Sequence, residues 1–261
     1  MCHEPASRPP LPPVAGGERR GRRLVLEASD GNRFVAFSAM TDIVDAPGAV
    51  ILPDVRGLHS FYEELALRFS DAGVYALAID YYGRTAGTDA RGDDFDHEPH
   101  FEQATDDAVG RDVATALDYM RSPEGGGASA VFTVGFCFGG RISFNQAASR
   151  EELAGVVGFY GRVAEEEPGD PSAPVVQAPS YRCPVLGLFG GADPNIAAEH
   201  VEAFRRALVA RGVPHEIVTY EGAPHSFFDR RFANHANASQ DAWARVLAFI
   251  RQKPSRPSGW S

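Results

Sequence analysis

AVFTVGFCFGGRI, residues 130–142, decides how this chain is read. Ala130 to Phe136 is an apolar run broken only by Thr133, with the length and β-branched content of a strand buried on both faces. Ile142 onward suits a helix, and between the two stands the turn Gly135-Phe136-Cys137-Phe138-Gly139. A residue at the tip of a tight strand-to-helix turn takes strained dihedrals, so the positions two before and two after it must be very small to clear the backbone. Gly135 and Gly139 meet that demand. The turn lifts the sulfur clear of the sheet, the N-terminal end of the following helix favours negative charge there, and the Phe138 amide faces the place where an oxyanion would form. A buried structural cysteine, beside glycines that merely let helix and sheet approach, fits the same five residues, so partners elsewhere must decide.

Working outward, further apolar runs appear at Ala49–Pro53, Val74–Asp80, Ala154–Tyr160 and Pro184–Gly190, and they predict a parallel sheet covered by helices. Helical patterns fall between them at Ser60–Ala72, about Glu102–Met120, Gly140–Arg150, Ala197–Arg211 and Ser239–Arg251. Upstream, Arg23–Ala28 and Arg33–Ala39 alternate apolar with polar residues around Asp30-Gly31-Asn32, which predicts an antiparallel hairpin. The fold class is therefore α/β: a mostly parallel, doubly wound sheet with an N-terminal antiparallel hairpin and helices on both faces. Residues 1–22 read as a proline-rich arm that stays mobile or lies over the surface, 23–252 as one domain, and 253–261 as a polar tail. Thr85–His100, rich in Gly and Asp, is the one long irregular insertion.

Composition narrows the function. With 44% hydrophobic residues in 261, one full-sized core is within reach. The net charge of −10 gives no footprint for phosphate backbones or anionic lipid, so nucleic acid and membrane are not expected partners. Three cysteines, Cys2, Cys137 and Cys183, make no disulfide framework, and the absence of an apolar leader or span points to the cytoplasm. Cys2-His3 has no second Cys/His pair to complete a zinc site, and the reading calls for no metal or cofactor. Oligomeric state is left open between a monomer and a small homo-oligomer.

In a doubly wound sheet, ligands bind at the carboxyl ends of the strands, and a nucleophile turn of this kind is followed in chain order by an acid and a histidine in later strand-end loops. PVLGLFGGADPN supplies Asp193, 56 residues after Cys137. HEIVTYEGAPHSFF, a strand over His215–Tyr220 and then a loop, supplies His225, 32 residues further on. Taken alone, Asp193 could cap the helix after it and His225 could be a solvated loop histidine. Together they give a nucleophile, a base and an orienting acid in the required order.

These residues resemble the dienelactone hydrolase family, cysteine-dependent members of the α/β-hydrolase fold, across about Arg23–Arg251. GFCFGG carries most of the resemblance, with GGADP, PHSF, LPDVRGL and IDYYGR in support. The resemblance implies a small ester or lactone substrate and a second oxyanion donor, the amide of Val55. It implies an acidic residue facing the resting cysteine at Asp54, one methylene shorter than the Glu commoner there, and a substrate-carboxylate arginine at Arg84. The family's second such arginine falls at Asp229, with Arg230 beside it as a stand-in. Both a carboxylate-bearing lactone and a neutral ester or thioester are therefore open, as is an idle binding or redox-sensing protein on the same scaffold.

Overall fold

A computed structural model describes residues 3–12, 21–89, 91–92, 94–150 and 152–252. The chain divides into two compact units. One comprises Met1–Val131 with Asp229–Arg231, the other Phe132–Phe228 with Phe232–Ser261.

The first unit carries β1 (Gly21–Glu27), β2 (Arg33–Ala39), β3 (Gly48–Leu52) and β4 (Tyr75–Ile79), in the spatial order β1-β2-β4-β3. The predicted hairpin is present, β1 pairing antiparallel with β2 from Gly21 opposite Ala39 to Glu27 opposite Arg33. β2 continues antiparallel onto β4, whereas β3 and β4 run parallel and are buried throughout, as their unbroken apolar runs require. Helix α1 (Ser60–Asp71) packs on β4 and β2 through Phe61, Leu65 and Phe69, its N-terminus capped by His59. Helix α2 (Asp106–Arg121) begins four residues later than its apolar pattern suggests, because Thr105 accepts from the Ala108 amide and caps it there.

Residues 3–12 of the proline-rich arm lie on this unit, with His3, Ser7 and Pro9 buried. The remainder of the arm over 13–20 and the tail over 253–261 fall outside the described residues.

The second unit holds β5 (Val131–Phe136), β6 (Gly155–Phe159), β7 (Val185–Gly190) and β8 (His215–Tyr220), consecutive in space and all parallel. Helices α3 (Phe138–Ser149), α4 (Ala198–Arg211) and α5 (Ala236–Arg251) connect or follow them. β5, β6 and β7 are wholly buried, and only β8 is partly exposed along its length. Phe144 of α3 sits in the core against Phe189 and Phe204, ring centroids 6.2 and 5.1 Å away.

Candidate active site

The turn after β5 is as tight as its sequence suggests. Cys137 adopts φ 54° and ψ −112°, and α3 starts at the next residue. A Cβ on Gly135 would lie 1.9 Å from the Gly139 carbonyl oxygen, so no other residue fits there without moving the first turn of the helix. The Cys137 amide donates to the Phe159 carbonyl at the end of β6 (3.0 Å), and the Cys137 carbonyl accepts from the Arg141 amide (3.1 Å). Strand and helix are pinned again by a Thr133–Ser143 hydroxyl pair at 2.7 Å. Cys137 is partly exposed, in contrast to the fully buried Cys183.

Asp193 and His225 stand in the loops after β7 and β8, and the structure brings them together. Gly190 ends β7 so close to the β8 loop that a Cβ there would fall 2.5 Å from the Ala223 carbonyl oxygen. Backbone bonds from Gly191 to Tyr220 and from Ala192 to Ala223 hold the two loops side by side. Across that seam the Nδ1–H of His225 donates to Asp193 Oδ2 at 2.5 Å, while Asp193 Oδ1 accepts from the Asn195 amide at 2.8 Å. The Asp193 side chain is fully buried and that of His225 is partly exposed. Asp193 is not the cap of the following helix: α4 starts at Ala198 behind Ala197, which makes no side-chain cap bond. Tyr160, Phe159, Phe136, Phe227 and Phe228 form an aromatic shell around this corner, with Phe136 stacked on Phe159 at 4.6 Å and Phe159 tilted against Phe228 at 4.9 Å. Sequence reading missed Tyr160 and Ser226, both non-glycine residues at positive φ. Nothing in their identity signals that backbone.

The remaining candidates lie in the first unit. Asp54, fully buried, accepts from the His3 amide (2.9 Å) and the Arg56 amide (2.9 Å), and its Oδ1 is 3.7 Å from His59 Nε2. Burial opposes ionisation of Asp54, but His59 and His3 beside it hold the carboxyl below its ordinary range. Val55, the next residue, accepts through its carbonyl from the Tyr82 hydroxyl. Arg84 is committed to Asp112 (2.6 Å) and Asp30 (2.9 Å).

Asp229 lies 3.6 Å from His3 Nδ1 and accepts from the Arg8 and Arg231 amides. Arg230 donates to the carbonyls of Pro9 and Leu11. Burial pushes the His3 imidazole down, the two carboxylates only partly opposing it. His3 reaches Asp54 from 51 positions away, and no local pattern announces such a partner. Among the described residues no cluster of His, Cys, Asp or Glu could hold a metal ion, and no helix is long and apolar enough to cross a membrane.

Residues 34–253 match the model of the dienelactone hydrolase family. A Yersinia pestis protein named "Putative carboxymethylenebutenolidase" is 33% identical over 235 residues, covering 86% of this chain and 85% of that protein. A Klebsiella pneumoniae crystal structure named "Putative Dienelactone Hydrolase" superposes with TM-score 0.73 at 27% identity, over 89% of this chain and 99% of that one. A dienelactone hydrolase-like promiscuous phosphotriesterase from metagenomic libraries is also similar, with TM-score 0.64 at 25% identity over 89% of this chain and 98% of that one. Among the described residues, eight strands, most of them parallel and alternating with helices, and the tight glycine-framed turn at Cys137 agree with those likenesses: the fold is that of the α/β-hydrolases, and the chain belongs to the dienelactone hydrolase family.

Proposed function

We propose that this chain hydrolyses ester or lactone bonds with Cys137 as nucleophile, His225 as acid and base, and Asp193 as the group that orients the histidine. The observation that carries the reading is the 2.5 Å bond between His225 Nδ1 and Asp193 Oδ2, formed in strand-end loops of the unit that also presents Cys137 at φ 54°. With its proton on Nδ1 held by Asp193, the imidazole uses Nε2 for chemistry. Nε2 takes the thiol proton as sulfur attacks the carbonyl carbon. The carbonyl π pair moves to oxygen, and the Phe138 amide stabilises that oxyanion. Collapse breaks the C–O bond, and the imidazolium protonates the departing alkoxide, which in a lactone stays tethered to the acyl group. Water then attacks the thioester, giving its proton to Nε2, and the thiolate leaves with the acid as product. The Cys137→Ala variant should lose turnover of p-nitrophenyl acetate; retained activity would refute the assignment.

Within this chemistry a neutral ester or lactone is favoured over a carboxylate-bearing one. Arg84 spends its guanidinium on Asp112 and Asp30, Arg230 spends its own on arm carbonyls, and Asp229 adds negative charge where the family resemblance leads one to expect an arginine. Comparing kcat/KM for neutral aryl esters with that for carboxylate-bearing lactones tests this, a preference for the latter reversing it. Silence toward a broad ester and lactone panel, together with reversible peroxide modification of Cys137, would instead favour a redox-sensing role.

A further inference from the structure

Among the described residues, the non-glycine positions of the second unit with positive φ are Cys137, Tyr160 and Ser226. The first is the nucleophile of the proposed reaction and the third follows its histidine. Tyr160 lies in the same corner by register: β5 and β6 pair Phe136 with Phe159, so Tyr160 stands one step beyond the strand, beside Cys137, whose amide binds the Phe159 carbonyl. Its own amide donates to the Leu188 carbonyl of β7 at 2.8 Å, which fixes the backbone at φ 38°. Glycine or asparagine takes such a φ with little strain, and a bulky aromatic residue does not. A local rule broken in this way persists where the surroundings over-determine it, commonly at a functional site. What the side chain gains here is a place. The Tyr160 ring is fully buried, 4.9 Å from the His225 imidazole and tilted 52° to it, and is backed at 5.6 Å by Phe227 and at 5.9 Å by Phe159.

We propose that Tyr160 is a positioning residue for His225, its ring bracing the imidazole so that Nε2 keeps one direction while Nδ1 holds Asp193. This rests on the assignment of His225 as the proton carrier. The hydrogen bond at Nδ1 aligns one atom of the ring, and a buried aromatic ring packed beside the imidazole narrows how far the ring can tilt about it.

The test uses the full-length chain and p-nitrophenyl acetate. Tyr160→Leu and Tyr160→Asn both remove the ring, and asparagine also relieves the positive φ, so it carries the test if the leucine variant does not fold. Both should lower kcat by about ten- to a hundredfold, as a slight misplacement of a proton carrier does, with KM within about twofold of the parent. The low-field Nδ1 proton of His225, read by NMR on histidine-labelled protein, should broaden or shift. A residue that merely filled space would leave that signal and the kcat-to-KM split unmoved. Tyr160→Phe, which keeps the ring, should recover most of the lost kcat. Parental kcat in folded Tyr160→Asn, or a Tyr160→Phe variant as impaired as Tyr160→Leu, overturns the proposal. Retained turnover in Cys137→Ala would instead overturn the catalytic assignment beneath it, and the two failures are read from different variants.

Discussion

Asp229→Asn perturbs the anchor of the N-terminal arm at a single atom. The carboxylate has no exposed surface, accepts from the Arg8 and Arg231 amides, and faces His3 Nδ1 at 3.6 Å and Arg231 Nε at 3.2 Å. Its carboxyl is held at about 2 against 3.8 in the unfolded chain: burial opposes the charge, but the hydrogen bonds, led by that with His3, outweigh it. At 1.36 kcal/mol per pH unit, that difference corresponds to about 2 kcal/mol of stability at neutral pH. Because the folded value lies below the unfolded one, the contribution is complete above the unfolded pKa and fades as the pH falls from about 4 to about 2. Asparagine keeps the Oδ1 acceptor for both amides but loses the charge and puts an amide donor in place of Oδ2, the oxygen that faces His3 Nδ1 and Arg231 Nε. Urea unfolding at pH 7 should therefore show a loss of about 2 kcal/mol, and the gap between variant and parent should narrow as acid neutralises Asp229 in the parent. Cleavage of the arm by a nonspecific protease should quicken in the variant. Equal unfolding midpoints for the two proteins at pH 7, or a gap that widens toward pH 2, would refute this account of how the arm is held.

Two further outcomes follow from close approaches and buried charge. Gly135→Ala places a methyl group 1.9 Å from the Gly139 carbonyl oxygen, so the turn must shift; turnover per folded molecule should drop by about a hundredfold, and parental kcat in this variant would contradict the geometry. Arg84→Met leaves Asp112, fully buried, with Asn32 as its remaining hydrogen-bond partner, which should cost about 3 kcal/mol in urea unfolding. Asp112→Asn in the same chain should recover part of that loss, and strictly additive effects would argue against a direct pair.

The fold was legible because its signals are local. Buried parallel strands must be apolar along their whole length, since both faces are covered, and β3 to β7 announce themselves so; the hairpin shows through its alternation and its Asp30-Gly31-Asn32 turn. Apolar periodicity sets the start of α2 too early because it carries no boundary, and the boundary comes from one Thr105 hydroxyl. At the site, Cys137, Asp193 and His225 could be nominated because strand-end topology restricts where each can stand. Asp54, Arg84 and Arg230 could be nominated only by resemblance, and their environments depend on partners tens to hundreds of positions away.

The sequence by itself determined the order of strands and helices, the glycine-framed turn at Cys137 and the identity of the chemical groups, all of which are set by steric and hydrophobic rules acting over a few residues. Only the tertiary structure decided that Asp193 binds His225 and does not cap α4, that Tyr160 stands against the imidazole, and that the arm's His3 lies between Asp54 and Asp229. Each is a contact between segments far apart in the chain, and its direction is fixed by backbone dihedrals and burial that residue identity does not encode.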